Sequence, residues 1–168
     1  LIPVFCASGK RDIGAKRLME FIINVAPGPI KAPAFKTTDG REIAADSSAP
    51  TSLFVFKSAV EPHLGEMTFF RVVSGKVTEG MELVNSKTGN KEKISQLFAV
   101  AGKNRVKVTE MEAGDIGCTV KLKGTKTNQT LCSPGADIRI EPIRFPEPRY
   151  RAAVRPLKTG EDEKLGEL

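Results

Sequence analysis

The sequence is poor in the side chains that build most metal and redox sites. Of its 168 residues, none is tryptophan, one is tyrosine, one is histidine and three are cysteine. The single histidine, His63, has no second histidine to complete a metal site or a catalytic pair. Cys6, Cys118 and Cys132 are far apart, which excludes a C-x-x-C zinc motif and a disulfide framework. We therefore predict no metal site and expect all three cysteines to be small buried side chains.

Long apolar runs are missing as well. No stretch approaches the roughly 20 apolar residues that a membrane-spanning helix needs, and residues 1–6 lack the basic flank of a signal peptide. With its unpaired cysteines, the sequence predicts a cytoplasmic protein without a membrane partner. Because it opens on leucine and enters a strand pattern at once, we expect it to be a piece of a longer protein.

Glycine and proline, by contrast, are plentiful. Fifteen glycines and eleven prolines favour short strands and turns over long helices. The richest strand pattern is residues 67–73, where β-branched and aromatic side chains lie between glycine turns. Further short strands are predicted at residues 53–56, 81–85, 91–99, 106–108, 116–122, 130–132 and 138–140. Closing such strands on one another removes exposed edges, so we predict a mainly β protein with a closed antiparallel barrel at residues 53–148.

The residues before the barrel carry a different pattern. Residues 1–6 read as a buried strand, and residues 14–25 have the apolar spacing of a helix, with Asp12 as its predicted cap. This strand and helix, within residues 1–28, resemble the end of an α/β domain. Residues 29–52 are predicted to be a surface linker with a turn at Asp39–Gly40. Residues 149–168 are predicted to begin a further domain and to be partly disordered.

Positive charge is concentrated in two places. The net charge is +6, and residues 87–107 contain one acid, Glu92, among six basic residues: Lys87, Lys91, Lys93, Lys103, Arg105 and Lys107. A second group is Arg149, Arg151, Arg155 and Lys158. Such clusters are typical of surfaces that meet a phosphate backbone, although a solvated strand face gives the same pattern. In a strand at residues 91–99, alternate lysines share one face, so both halves of the first cluster are candidates for one continuous basic surface.

Several motifs occur together in an order that is similar to the elongation factor G family of translational GTPases. They are the Pro-Val-Phe-Cys-Ala-Ser run at 3–8, Val-Ala-Pro-Gly-Pro at 25–29, Glu-Pro-His-Leu-Gly at 61–65, Arg-Val-Val-Ser-Gly at 71–75, Ala-Gly-Asp-Ile-Gly at 113–117 and Phe-Pro-Glu-Pro at 145–148. Together they cover nearly the whole chain. Departures such as Asn128-Gln129, where the family usually has Gly-Asp, suggest a divergent paralogue.

The resemblance implies a fold, binding partners and an activity of the parent protein. The fold would be a translation-factor-type β-barrel that follows the strand-helix remnant of a GTPase domain. The partners would be the ribosome, through small-subunit rRNA, and the missing GTPase domain of the same chain. In the parent protein, GTP and Mg²⁺ would be bound and GTP hydrolysis would drive translocation or ribosome recycling. Ser8, Gly9 and Lys10 correspond to the family's guanine-contacting loop.

This chain has no Gly-x-x-x-x-Gly-Lys-Ser/Thr phosphate loop and no Asp-x-x-Gly magnesium element. We therefore expect the chain alone to hold no cofactor and to hydrolyse no GTP. Two alternatives remain within related architectures. One is the barrel of a tetracycline-resistance ribosomal protection protein. The other is a flavin-reductase-like barrel, for which Arg71 and Ser74 are the only matching side chains. A third alternative is an interaction module without nucleic-acid contact.

Overall fold

An antiparallel sheet of eight strands forms most of the structure. The computed structural model describes residues 2–61, 65–102 and 104–156. The strands are β1 Phe35–Lys36, β2 Glu42–Ile43, β3 Ser52–Glu61, β4 Gly65–Ser74, β5 Lys76–Thr78, β6 Glu82–Asn85, β7 Lys91–Lys93, β8 Leu97–Ala101, β9 Asn104–Val108, β10 Glu110–Glu112, β11 Ile116–Val120 and β12 Gln129–Cys132. The order of strands in the large sheet is β7-β6-β12-β3-β4-β11-β8-β9, and β10-β5 and β1-β2 form two separate pairs. The prediction of a mainly β protein is confirmed.

The two ends of the eight-stranded order meet at one turn. Strand β9 leads into β10, which pairs with β5. The turn after β5 then contacts both ends, because Glu79 N–H donates to Thr109 O at 3.1 Å and Gly80 N–H donates to Ile94 O at 2.7 Å. Thr109 follows β9 and Ile94 follows β7, so backbone hydrogen bonds connect the two outer strands of the order through this turn.

The main core lies on one side of the sheet. Successive residues of a strand face opposite sides, so Leu53 and Val55 of β3 and Phe70 and Val72 of β4 point into the same cluster. Leu83, Leu97 and Leu131 come from three further strands, and all seven side chains are almost completely buried. A core supplied by so many strands requires the sheet to curve around it.

A second apolar cluster covers the outer side of β3 and β4. It contains Phe54 and Val73, with Ile138 and Ile140, and is packed against by Phe35 of β1 and Ile43 of β2. The predicted Asp39–Gly40 turn is confirmed as the tip of the β1–β2 hairpin. This part of the predicted surface linker is therefore packed onto the sheet, and a bridge from Thr37 to Ile140 attaches it.

The predicted helix is confirmed as α1, Ala15–Val25, but the residues before it differ from expectation. Residues 2–7 form no strand, because no described segment offers them a hydrogen-bonding neighbour. Gly14, and not Asp12, caps the helix, while Asp12 closes the short 3₁₀ turn Gly9–Arg11. Cys6 is exposed as a result, and only Cys118 and Cys132 are buried as predicted. Within the described residues, no helix is both long and apolar enough to cross a membrane.

Two predicted strands differ in the structure. Residues 91–99 are not one strand but two, β7 and β8, because the chain changes partners between them: β7 pairs with β6, whereas β8 pairs with β11 and β9. Residues 138–140 contribute only the bridge at Ile140. Strand β10 was not predicted, and strands β1 and β2 were predicted only as a loose hairpin with its tip at Asp39–Gly40. The middle of the Glu-Pro-His-Leu-Gly motif, residues 62–64, and residues 157–168 of the segment predicted to be partly disordered, 149–168, lie outside the described residues.

Gly75 occupies a position where both conformation and space require glycine. Its φ is +70°, and a Cβ would lie 2.6 Å from Thr51 Cα and 2.7 Å from Ala49 O. Gly80 has a similar φ of +86° but open space around it. We predict that Gly75→Ala lowers the free energy of unfolding clearly more than Gly80→Ala, which costs about 1–2 kcal/mol for the left-handed backbone alone. Urea titration measures the free energy of unfolding of both variants, and equal losses in the two would contradict the close packing at Gly75.

Candidate nucleic-acid-binding surface

Strand β7 places one acid inside the protein and two lysines outside it. Lys91 and Lys93 are exposed on one face, as the alternating pattern predicts, whereas Glu92 between them is only 2% exposed. A buried carboxylate is costly unless hydrogen bonds compensate it. The partners of Glu92 therefore determine the structure around it.

Three donors satisfy the Glu92 carboxylate. Its Oε2 accepts from Lys123 N–H at 2.9 Å, and its Oε1 accepts from Gly124 N–H and from Thr125 Oγ1, both at 2.9 Å. All three donors belong to the segment at residues 121–128, which contains no strand or helix. One buried side chain thus fixes the backbone of a surface loop.

Two amide side chains extend these contacts to the opposite turn. Asn85 Nδ2 donates to Thr125 Oγ1 at 3.1 Å and to Gln129 Oε1 at 2.8 Å. Asn85 Oδ1 accepts from Lys87 N–H at 3.0 Å and from Thr88 N–H at 3.3 Å. We call the buried set Asn85, Glu92, Thr125 and Gln129 the Glu92 network. It holds the 86–90 turn and the 121–128 loop at the same time.

The two segments held by the Glu92 network are basic. Lys87 lies in the 86–90 turn, and the 121–128 loop adds three exposed lysines with no acid among them: Lys121, Lys123 and Lys126. These three lysines were not predicted to belong to the site, because they lie beyond Lys107, where the predicted cluster ends. The only available signal was the basic composition of residues 121–126.

The structure separates the predicted cations by their surroundings. Lys91 Nζ lies 2.9 Å from Glu82 Oε1, a contact that raises the pKa of Lys91, and Lys107 Nζ lies 3.0 Å from Glu79 Oε1. Lys87 and Lys93 are exposed and form no salt bridge with a described residue. Arg105 is half-buried on β9. Lys103 lies outside the described residues.

The remaining basic groups lie on two strands and in one irregular segment. Strand β7, with Lys91 and Lys93, and strand β9, with Arg105 and Lys107, stand at the two ends of the sheet order, which meet at the turn after β5. The second predicted group, Arg149, Arg151 and Arg155, is exposed in a segment without helix or strand, and Lys158 lies outside the described residues.

The loop predicted to contact guanine is a small, tight turn. Ser8 N–H donates to Ile13 O at 2.9 Å, and Ile13 N–H returns a bond to Ser8 O at 3.1 Å. Within residues 2–61, the N–H groups of Gly9 and Lys10 have no acceptor, and both residues are exposed. The loop therefore presents two backbone donors to its surroundings, which fits a contact with a carbonyl oxygen.

Other chemistry has less support in this structure. Ser74, one half of the flavin-type pattern, is buried and its Oγ bonds Ser52 Oγ and Pro50 O, both at 2.7 Å. Arg71, the other half, lies over the Phe35 ring at 5.1 Å. Neither side chain is presented as a phosphate site. In the described part of the chain, no group of three or more His, Cys, Asp or Glu side chains is placed to hold a metal ion.

Replacing Glu92 by glutamine tests the role of the network. In Glu92→Gln, an amide NH₂ would face at least one N–H donor, which leaves a buried polar group unsatisfied. We predict a loss of about 1–3 kcal/mol in the free energy of unfolding, measured by urea titration. The matched control is Glu82→Gln on the neighbouring strand, whose side chain is 52% exposed, and it is expected to cost less than about 0.5 kcal/mol. Equal, small losses in both variants would contradict the role of Glu92.

Comparison with known proteins accounts for this architecture. Residues 50–134, from just before β3 to just after β12, match the family model of elongation factor G domain 2. The crystal structure of the protein ttk003000868 from Thermus thermophilus superposes with a TM-score of 0.68 at 25% identity. That match covers 96% of this chain and 22% of the Thermus protein, so the chain spans about a fifth of its length. With half of its residues matched by the domain model, the chain belongs to the elongation factor G family.

Proposed function

We propose that the chain is the ribosome-docking barrel of a translational GTPase and that it binds small-subunit rRNA. In that role it would couple the nucleotide state of a GTPase domain to translocation or ribosome recycling. Family membership supports the proposal at the level of the domain. The observation that carries the RNA contact is the pair of basic segments, 86–90 and 121–128, which one buried network holds together.

The proposed domain is a closed barrel at residues 53–148. Its support is the turn after β5, which is bonded to the segments following β7 and β9 and so joins the two ends of the sheet order. Residues 1–28 would then be the end of the GTPase domain, residues 29–52 a linker, and residues 149–168 the start of a third domain. The exposed apolar side chains of α1, such as Ile22 and Ile23, are consistent with a helix that belongs to a different unit.

GTP and Mg²⁺ would be bound by the parent protein in segments other than those described. The 8–10 loop fits a contact with a guanine carbonyl, since the Gly9 and Lys10 N–H groups lack acceptors among the described residues. Its two hydrogen bonds are worth roughly 1 kcal/mol each, well below the ~8 kcal/mol of a micromolar complex. The loop would therefore orient the base and leave the phosphates to other residues.

Electrostatics favours unpaired lysines as the RNA contacts. Neutralising a phosphate releases a condensed counterion, and a lysine already paired with a carboxylate must first give up that partner. Lys87, Lys93, Lys123 and Lys126 have no salt bridge with a described residue, whereas Lys91 and Lys107 do. The proposal therefore keeps Lys87 and Lys93 from the predicted cluster and adds the 121–128 lysines.

Binding to purified small ribosomal subunits tests the RNA contact. The triple variant Lys93→Gln, Lys123→Gln, Lys126→Gln should bind more weakly and should reduce the salt slope of log K by about 2–3, because each lost phosphate contact removes about one counterion. The matched control replaces the ion-paired lysines Lys76, Lys91 and Lys107 by glutamine and removes the same charge.

The comparison of the two triple variants decides the outcome. A smaller effect of the control on both affinity and slope supports the proposed surface. Equal effects of the two variants would mean that only the net charge of the protein affects binding. Unchanged binding by the first variant would exclude these lysines as the docking surface.

A further inference from the structure

A cleft of about 360 Å³ opens beside the 86–90 turn. Ser86 and Lys87 of that turn line it, together with Gln129 at the start of β12 and with Arg139 and Pro142 from the segment after β12. The volume lies within the range of small-ligand sites in proteins, which begins at about 300 Å³. Neither the family match nor the proposed rRNA contact assigns a ligand to it.

Two of the side chains that line this cleft, Lys87 and Arg139, are cationic donors. Arg139 Nη2 donates to Ser86 O at 2.6 Å, which fixes the guanidinium at the cleft wall and leaves its other N–H groups available. Gln129 Oε1 already accepts from Lys126 N–H at 2.9 Å and from Asn85 Nδ2 at 2.8 Å. These two bonds orient the side-chain amide of Gln129. Its NH₂ group has no acceptor among the described residues. No described acid lines the cleft.

The walls are held rigidly from behind. Asn85 Oδ1 binds the Lys87 N–H and fixes the start of the turn. On the other side, Asn128 Nδ2 donates to Ile143 O at 3.0 Å and Asn128 Oδ1 accepts from Ile143 N–H at 2.9 Å, which clamps the segment that carries Arg139 and Pro142. The backbone of Lys87, the Arg139 guanidinium and the Gln129 amide are thus held in place, and pre-positioned groups lose less conformational entropy when they bind a ligand.

We propose that this cleft binds the phosphate group of a single nucleotide. Arg139 and Lys87 would neutralise the phosphate through charge-assisted hydrogen bonds, and Gln129 would donate a third bond. Pro142 is exposed and offers an apolar surface to the base or sugar. A nucleotide within an RNA strand and a nucleotide free in solution both present this phosphate chemistry. The proposal does not depend on rRNA docking by the 121–128 loop.

Titration calorimetry of the 168-residue chain with adenosine monophosphate, inorganic phosphate and a short single-stranded oligoribonucleotide tests the proposal. We expect saturable binding in the millimolar range or tighter, because only a few contacts are made. Lys87→Gln and Arg139→Gln should each weaken it about tenfold, which corresponds to about 1.4 kcal/mol. The matched control, Lys16→Gln on helix α1, removes the same charge outside the cleft and should leave the affinity unchanged.

The three ligands distinguish the source of the phosphate. If the oligoribonucleotide binds more tightly than adenosine monophosphate, the cleft is assigned to an RNA strand. If the two bind equally, it is assigned to a free nucleotide. Binding that is lost equally in Lys16→Gln, or no saturable binding of any of the three ligands, would overturn the proposal. Neither result would affect the ribosome experiment, in which Lys87 and Arg139 are unchanged.

Discussion

The basic surface of this protein depends on one buried carboxylate. Glu92 is removed from water, and its carboxyl oxygens receive three hydrogen bonds, from Lys123 N–H, Gly124 N–H and the Thr125 hydroxyl, which compensate the lost hydration. The same requirement determines the path of the 121–128 loop, which carries three exposed lysines and no acid.

Asn85 connects this arrangement to the second basic segment. Its amide binds both Thr125 and Gln129, and its carbonyl oxygen receives the backbone of the 86–90 turn. Shared acceptors of this kind make the two segments mutually dependent. The proposed docking lysines and the proposed phosphate-binding cleft therefore both depend on one network, although each proposal is tested with variants that the other does not use.

Much of the fold was predictable because its signals are local. The β-rich pattern of β4, the helix α1 and the Asp39–Gly40 hairpin all arise from residues close in sequence. The single strand predicted at 91–99 was wrong because its two halves pair with different strands, β7 with β6 and β8 with β11 and β9, which no local pattern reveals. The strand predicted at residues 1–6 was also wrong, because an apolar run forms a strand only where a second strand is available to pair with it.

The candidate site was less predictable than the fold. Charge counting found Lys87, Lys91 and Lys93, but it could not show that Glu82 pairs with Lys91. Charge counting also could not show that Glu92 is buried and that its hydrogen bonds hold the 121–128 loop. The lysines of the 121–128 loop and Arg139 join the site only through contacts between residues more than thirty positions apart.

Amide hydrogen exchange, followed by NMR, tests the central claim most directly. If Glu92 holds the loop, the amides of Lys123 and Gly124 exchange slowly in the native chain although they lie in an irregular surface segment, and their protection is lost in Glu92→Gln. Rapid exchange of both amides in the unaltered protein would contradict the account, because the two hydrogen bonds on which the basic surface depends would not persist in solution.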